Sequence, residues 1–308
     1  MIFDAHCDVL YQLHKDQSKN FQSDRFLHVT HEQLKAAGSK VQCMAIFLPP
    51  ETKANDRFQI ALEQIDLFYE KIVNPNNDVK VISSKNDIDH LKPGEVGVVL
   101  TLEGCEAIEE DLTKLRTLYR LGVRSVGLTW NPANAVADGA MEERGGGLTA
   151  FGREVVKQLN SLRLWTDVSH LSERGFWDVI ELADYPIASH SNCYELCQHP
   201  RNLKDKQIDG LIKKDGMIGL TFVPFFVKEK GQVDLQDLLL HVEHICERGG
   251  ERNLGFGSDF DGIDETIRGL SSFKEYSNWI DLLQRHYSEE QVENFLFNNF
   301  INRFPSIG

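Results

Sequence analysis

Residues 96–129 read Val-Gly-Val-Val-Leu-Thr-Leu-Glu-Gly-Cys-Glu-Ala-Ile-Glu-Glu-Asp-Leu-Thr-Lys-Leu-Arg-Thr-Leu-Tyr-Arg-Leu-Gly-Val-Arg-Ser-Val-Gly-Leu-Thr. An apolar run, Val96–Leu102, ends on Glu103. A helical period follows over Asp111–Leu121, with Leu112, Leu115, Leu118 and Tyr119 on one face, and a second apolar run, Val123–Thr129, completes the unit. Continuous apolar runs suit parallel strands covered by helices, where alternation would mark a half-exposed sheet. The same spelling recurs outward in both directions: Ile2–Ala5, Val41–Leu48, Leu164–Val168, Pro186–Ser189, Met217–Phe222 and Leu254–Ser258 bring the expected strands to eight. Eight strands alternating with helices in about 300 residues predict one closed (β/α)8 barrel of the TIM type, a single α/β domain over 1–308. An open doubly wound sheet is the alternative. It would need a strand–GxGxxG–helix unit, and Gly255-Phe-Gly257 runs instead into Ser-Asp-Phe-Asp-Gly.

Between the strands, Arg57–Val73 carries an apolar stripe at i, i+3, i+4 spacing. Thr149 and Ser172 stand where N-caps belong, before Phe151–Leu162 and Phe176–Ala183. Another helix is expected over Asp234–Arg248, and Ser288-Glu-Glu-Gln291 spells a capping box before the last one. Segments 13–40, 130–148 and 223–233 are long and irregular, each following a strand, and Gly145-Gly146-Gly147 gives one of them an expected hinge. Hydrophobic residues make up 41% of the 308 and charged ones 26%, enough to bury a full core. A net charge of −14 disfavours nucleic acid or an anionic membrane as the main partner. No basic region precedes an apolar stretch at the N-terminus, and Met217–Val227 is too short to span a bilayer, so a soluble, cytoplasmic protein is expected. Six cysteines without a CxxC pair read as free, mostly buried thiols.

Polar residues cluster just past the strands: His6 and Asp8, Glu103, Trp130 and Asn131, His170, His190, then Asp259 and Asp261. Imidazoles and carboxylates in this mixture suit zinc or a similar divalent ion. Five ligands exceed what one zinc with an open position uses, so two divalent ions are expected. Glu103 would bridge one on His6 and Asp8 to another on His170 and His190. Such a pair would hold a bridging hydroxide and polarise a substrate carbonyl. Asp259 is left as general base and acid, with Asp261 as an alternative to it. Arg201, in the Cys193–Asn202 segment, could clamp a substrate carboxylate. Cys193 and Cys197, four apart, look like a metal pair but are expected to pack inside a helix. The other eight histidines, His14, His28, His31, His90, His199, His241, His244 and His286, are expected to be surface or structural.

These segments resemble the membrane (renal) dipeptidase family of zinc metallopeptidases, within the amidohydrolase-like barrels. The resemblance rests on Asp4-Ala-His6-Cys-Asp8, Leu102-Glu103-Gly104, Gly122–Thr129, Gly147–Gly152, Asp167-Val-Ser-His170, Ala188-Ser-His190-Ser-Asn192, Arg201-Asn202 and Gly257-Ser-Asp259-Phe-Asp-Gly262, in order over nearly the whole chain. It implies zinc on His6, Asp8, His170 and His190 with Glu103 bridging, Asp259 as acid/base, and Arg201 on the C-terminal carboxylate of a dipeptide. The implied activity is hydrolysis of L-Xaa-L-Xaa and L-Xaa-D-Xaa dipeptides, with those of cell-wall turnover among the candidates. Where mammalian members carry a His that approaches the substrate carbonyl, this chain has Trp130, so its substrate range or oxyanion stabilisation would differ. A deaminase or lactonase on the same barrel, or a non-catalytic binding barrel, are the alternatives. A homodimer is compatible with exposed helices.

Overall fold

Residues 1–305 are described by the computed structural model; the last three residues of the expected 1–308 domain lie outside the described residues. Among the described residues nine parallel strands occur: β1 Ile2–Asp4, β2 Ser39–Phe47, β3 Val79–Val81, β4 Val96–Glu103, β5 Val123–Gly127, β6 Trp165–Asp167, β7 Pro186–Ala188, β8 Met217–Leu220 and β9 Leu254–Phe256. Eight close on themselves in the order β1-β2-β4-β5-β6-β7-β8-β9, sealed by β2–β4 and β1–β9 pairing. The expected (β/α)8 barrel is the observed one.

Strand β3 was not expected from the sequence. It is three residues long and lies outside the ring, on the lower part of β4: it pairs with Val96–Val98, while β5 pairs from Leu100 upward. Most ring strands stop one or two residues before the apolar runs do. Backbone bonds to the neighbouring strand continue past several of these ends: Ala5 N donates to the Phe256 carbonyl, Val168 N to the Ile187 carbonyl and Gly257 N to the Leu220 carbonyl.

The caps expected at Thr149, Ser172 and Ser288 are present, and Asp111 and Asp234 cap their helices as well. Oxygens of Asp111, Thr149, Ser172, Asp234 and Ser288 accept from backbone N–H groups of the first turns they precede. The helix expected from Arg57 starts at Ala54, and over Phe68–Val73 it widens into a π turn. Cys193–Cys197, by contrast, is not helical but a run of turns. Both thiols are buried, Cys193 Sγ donating to the His241 carbonyl and Cys197 Sγ to the Phe225 carbonyl, so neither faces a metal. Nor is Gly145-Gly146-Gly147 a free hinge. Gly146 N donates to Asp138, Ser172 Oγ donates to Gly146 O, and a Cβ on Gly147 would lie 2.1 Å from an Asp178 oxygen. Glycine serves there to let carboxylates approach the backbone.

The barrel floor is apolar. Phe3, Val41, Val99, Trp165, Ile187 and Met217, from six different strands, pack against Phe297, Phe300, Ile301 and Phe304 of the C-terminal helical segment. Phe3 stacks on Phe300 at 4.9 Å, and Trp165 Nε1 donates to the Arg303 carbonyl. This plug closes the N-terminal end of the barrel, leaving polar chemistry to the other end.

Candidate metal centre and substrate cleft

His6, Asp8, Glu103, His170, His190 and Asp259 all stand at the C-terminal ends of β1, β4, β6, β7 and β9. His170, Asp259 and Asp261 carry φ of 70°, 63° and 68°. A non-glycine residue held in this left-handed region costs on the order of 1–3 kcal/mol. The bonds that hold these turns are visible. Ala140 N and Thr129 Oγ1 donate to the His170 carbonyl, Asp259 N donates to the His6 carbonyl, and Gly262 N donates to the Asp259 carbonyl. Two glycines make room as well: a Cβ on Gly219 or Gly257 would fall 2.0 Å from the Ser189 carbonyl oxygen.

At the centre, His170 Nε2 lies 2.9 Å from Glu103 Oε1 and 2.8 Å from His190 Nε2, and His190 Nε2 is 3.7 Å from the same Glu103 oxygen. The proton bookkeeping is informative. Ser189 Oγ donates to Asp167 Oδ2, so it accepts from His190 Nδ1, 2.8 Å away. Asn131 Oδ1 likewise accepts from His170 Nδ1 at 2.8 Å. With one proton on each Nδ1, both Nε2 atoms present lone pairs. Burial, reinforced by Arg201 and His6, keeps both rings neutral, well below the usual histidine range. Two imidazole lone pairs and a Glu103 oxygen therefore face one another, an arrangement that a cation would satisfy.

On the other side, His6 Nε2 sits 3.3 Å from Asp8 Oδ2, 3.7 Å from Glu103 Oε2 and 3.9 Å from Asp259 Oδ1. That nitrogen and Asp8 Oδ1 are buried without a hydrogen-bond partner. Two triads hold ligand atoms within 4.8 Å of one another: His6, Glu103 and His190, and His6, Asp8 and Asp259. Burial opposes the charge of His6, but the Glu103 and Asp8 carboxylates outweigh it and raise its pKa to about 10. Burial and Asp8 push Glu103 well above the ordinary carboxylate range. Burial, partly offset by His6 and with Asp8 adding to it, brings Asp259 to about 7. Three carboxylates and three imidazoles in so small a space are the donor set of divalent ions with mixed N/O ligation. The sequence-expected residues come together; Asp259 comes to 3.9 Å of His6, nearly as close as Glu103 at 3.7 Å.

Some supporting residues were not singled out from the sequence. Asp4, fully buried, accepts from His6 N, Ser258 N and Gln42 Nε2, tying β1 to β9 beneath the centre. Asp167 accepts from Ser169 N and Ser189 N besides Ser189 Oγ. The readable signal for both was a carboxylate placed inside an otherwise apolar strand run.

Above the centre opens a cleft of about 460 Å³. One wall is aromatic: Tyr11 meets Phe47 at 5.4 Å, Phe47 meets Trp130 at 5.4 Å, and Trp130 lies 6.1 Å from His170. Trp130, expected to contact substrate, is thus in the wall. Arg201 enters from the opposite side, 3% exposed, with Nη2 donating to the His190 carbonyl and Nε unpartnered. Burial lowers its pKa to about 10 against the pull of Asp259 and Glu103, which leaves it charged at neutral pH. His199 also lines the cleft, its ring tilted 4.4 Å from Phe226, and its Nδ1 accepts from Arg201 N, a contact in keeping with the structural role expected of it. It follows a turn whose course the sequence pattern did not reveal. Asp261 is structural: its carboxylate accepts from His28 N and Val29 N, holding the 13–40 segment over β9.

His241 is structural as expected, and it fixes the Arg201 segment. Its Nδ1 accepts from Cys193 N and its Nε2 donates to the Val227 carbonyl. Burial lowers its pKa from 6.5 to about 4. As pH falls below 6.5 the unfolded chain takes up the proton first. The stability present above 6.5 is therefore lost toward pH 4, by about 3 kcal/mol from this residue. Urea unfolding of His241→Gln beside the unaltered protein checks this: the gap between them narrows as pH drops from 6.5 to 4, and a constant gap excludes His241 as the source.

Solved structures resemble this chain over nearly its whole length. A solved metallo peptidase of Rhodobacter sphaeroides, liganded with a phosphinate mimic of the dipeptide L-Ala-D-Ala, is similar with a TM-score of 0.93 at 26% identity, over 98% of each chain. A second solved structure, dipeptidase AC, a metallo peptidase of family M19, gives 0.92 at 27% identity over 98% of this chain and 97% of that one. An uncharacterized dipeptidase of Schizosaccharomyces pombe is 32% identical over 266 residues, 83% of this chain. The match spans 63% of that yeast relative, less than two thirds of its length. The profile of membrane dipeptidase, peptidase family M19, matches residues 1–307, and the chain accordingly belongs to this metal-dependent family of peptide-bond hydrolases.

Proposed function

We propose that this protein is a binuclear dipeptidase, most simply with zinc, that cleaves L-Xaa-L-Xaa and L-Xaa-D-Xaa dipeptides. The observation that carries the reading is the pairing of a close-packed imidazole–carboxylate cluster with a buried, incompletely bonded guanidinium across one small cleft. His6 and Asp8 would hold one ion, His170 and His190 the other, with Glu103 shared. When bound, the ions supply Lewis acidity and make water a nucleophile at neutral pH. The chain's own residues do the rest. Arg201 takes the C-terminal carboxylate and so sets which amide reaches the centre. Asp259 accepts the proton of the attacking water and returns it to the departing amine nitrogen. Ser189 with Asp167, and Asn131, hold the two imidazoles in the tautomer that presents Nε2. The L-Ala-D-Ala mimic on the Rhodobacter protein supports tolerance of a D-residue at the C-terminal position.

A deaminase or lactonase on this barrel would have no use for the Arg201 clamp. The test is a panel of L,L, L,D and D,L dipeptides with their C-terminal amides, assayed alongside metal content. Arg201→Ala is expected to lower kcat/KM for free dipeptides at least tenfold, the loss of charge-assisted hydrogen bonds worth about 1.5–3 kcal/mol. Amidated dipeptides should be poor with the unaltered enzyme and lose little more in the variant. Equal turnover of acids and amides would remove the clamp and, with it, the dipeptide reading.

A further inference from the structure

The ring order places Arg201 and Phe47 on opposite sides of the mouth, because β7 and β2 are four strands apart in either direction. A dipeptide whose carboxylate sits on Arg201 therefore points its N-terminal residue toward Phe47 and the helix that follows β1. That helix, Val9–Lys15, runs outward from Asp8. Asp8, Tyr11, Gln12 and Lys15 all line the cleft, at the spacing of one helical face. At 1.5 Å per residue, Lys15 stands about 10 Å beyond Asp8 along this face.

The stripe carries polar groups along its length, and they are differently engaged. Gln12 is spent: its Nε2 donates to the Asp261 carbonyl and its Oε1 accepts from Lys19 Nζ. Asp264, the exposed acid at this lip, lies with Lys19 near enough to His28 to act on its charge. Lys15 is exposed, its ammonium 5.8 Å over the Tyr11 ring, and it makes no ion pair among the described residues.

We propose that Lys15 is a specificity-determining residue that selects dipeptides with an acidic N-terminal side chain, glutamyl above aspartyl. The proposal rests on the dipeptidase reading and deepens it. The methylenes of a glutamyl side chain would lie along Tyr11 and Phe47, with the carboxylate reaching the lysine's flexible four-carbon stem. An aspartyl side chain is one methylene shorter and engages it less well.

The experiment compares kcat/KM for L-Glu-L-Ala and L-Gln-L-Ala, equal in shape and different in charge, with L-Arg-L-Ala and L-Ala-L-Ala alongside. Because each readout is a ratio within one preparation, a variant that folds or loads metal poorly still reports. The unaltered metal-loaded enzyme is expected to favour Glu over Gln about fivefold at low salt, the scale of a solvent-exposed charge pair. The preference should shrink at 1 M salt. It should fall to about one in Lys15→Ala and invert in Lys15→Glu, with L-Arg-L-Ala gaining. A Glu/Gln ratio of one in the unaltered enzyme, or one that survives Lys15→Glu, overturns the proposal while leaving a dipeptidase. Turnover of none of the four dipeptides overturns both.

Discussion

Asp259→Asn is expected to cut kcat by about 10²–10⁴-fold, the span over which a positioned acid/base acts, with metal content unchanged. The asparagine keeps the shape and cannot take the proton of the attacking water. Its backbone turn should also persist, since Asn tolerates the left-handed region Asp259 occupies at φ 63°. Metal analysis beside the rate measurement makes the test discriminating, because an Asp259 oxygen lies 3.9 Å from His6 Nε2 and within the His6–Asp8 triad. If the variant loses an ion together with its activity, Asp259 is a ligand. If it retains full activity, the proton passes elsewhere.

Metal removal should have a still larger effect, reducing turnover to background and lowering stability at the same time. Without cations, buried Asp8 and Glu103 and partly buried Asp259 crowd together around three imidazoles. Burying like charges is costly unless a partner compensates them. A metal present at a thousand times its Kd adds about 4 kcal/mol to folding by mass action. The thermal midpoint of chelated protein should therefore fall by several degrees and recover, with activity, on adding back zinc, cobalt or manganese. Activity that survives exhaustive chelation, with an unmoved midpoint, contradicts metal dependence in this chain.

The barrel was legible because its strands are buried on both faces and read as unbroken apolar runs. The candidate site was legible because its donors are of rare type and each follows such a run. Strand β3 escaped because Val79-Lys-Val81 is three residues long and owes its pairing to the length of β4 below β5. The Cys193–Cys197 segment escaped because spacing by four suggests a helix, whereas here His241 and the neighbouring carbonyls hold a series of turns. His199 and Lys15 became cleft residues only once the loop paths were known. Asp167 and Ser189 show the remaining limit: the contact that sets the His190 tautomer joins residues 22 apart on neighbouring strands, and periodicity does not record such pairings.

Anomalous diffraction from crystals of the metal-loaded protein tests the central claim most directly. The account predicts two peaks, ~3.5–4 Å apart, one against His6 and Asp8 and the other against His170 and His190, with Glu103 between them. A single peak, or peaks outside this set of side chains, would contradict it.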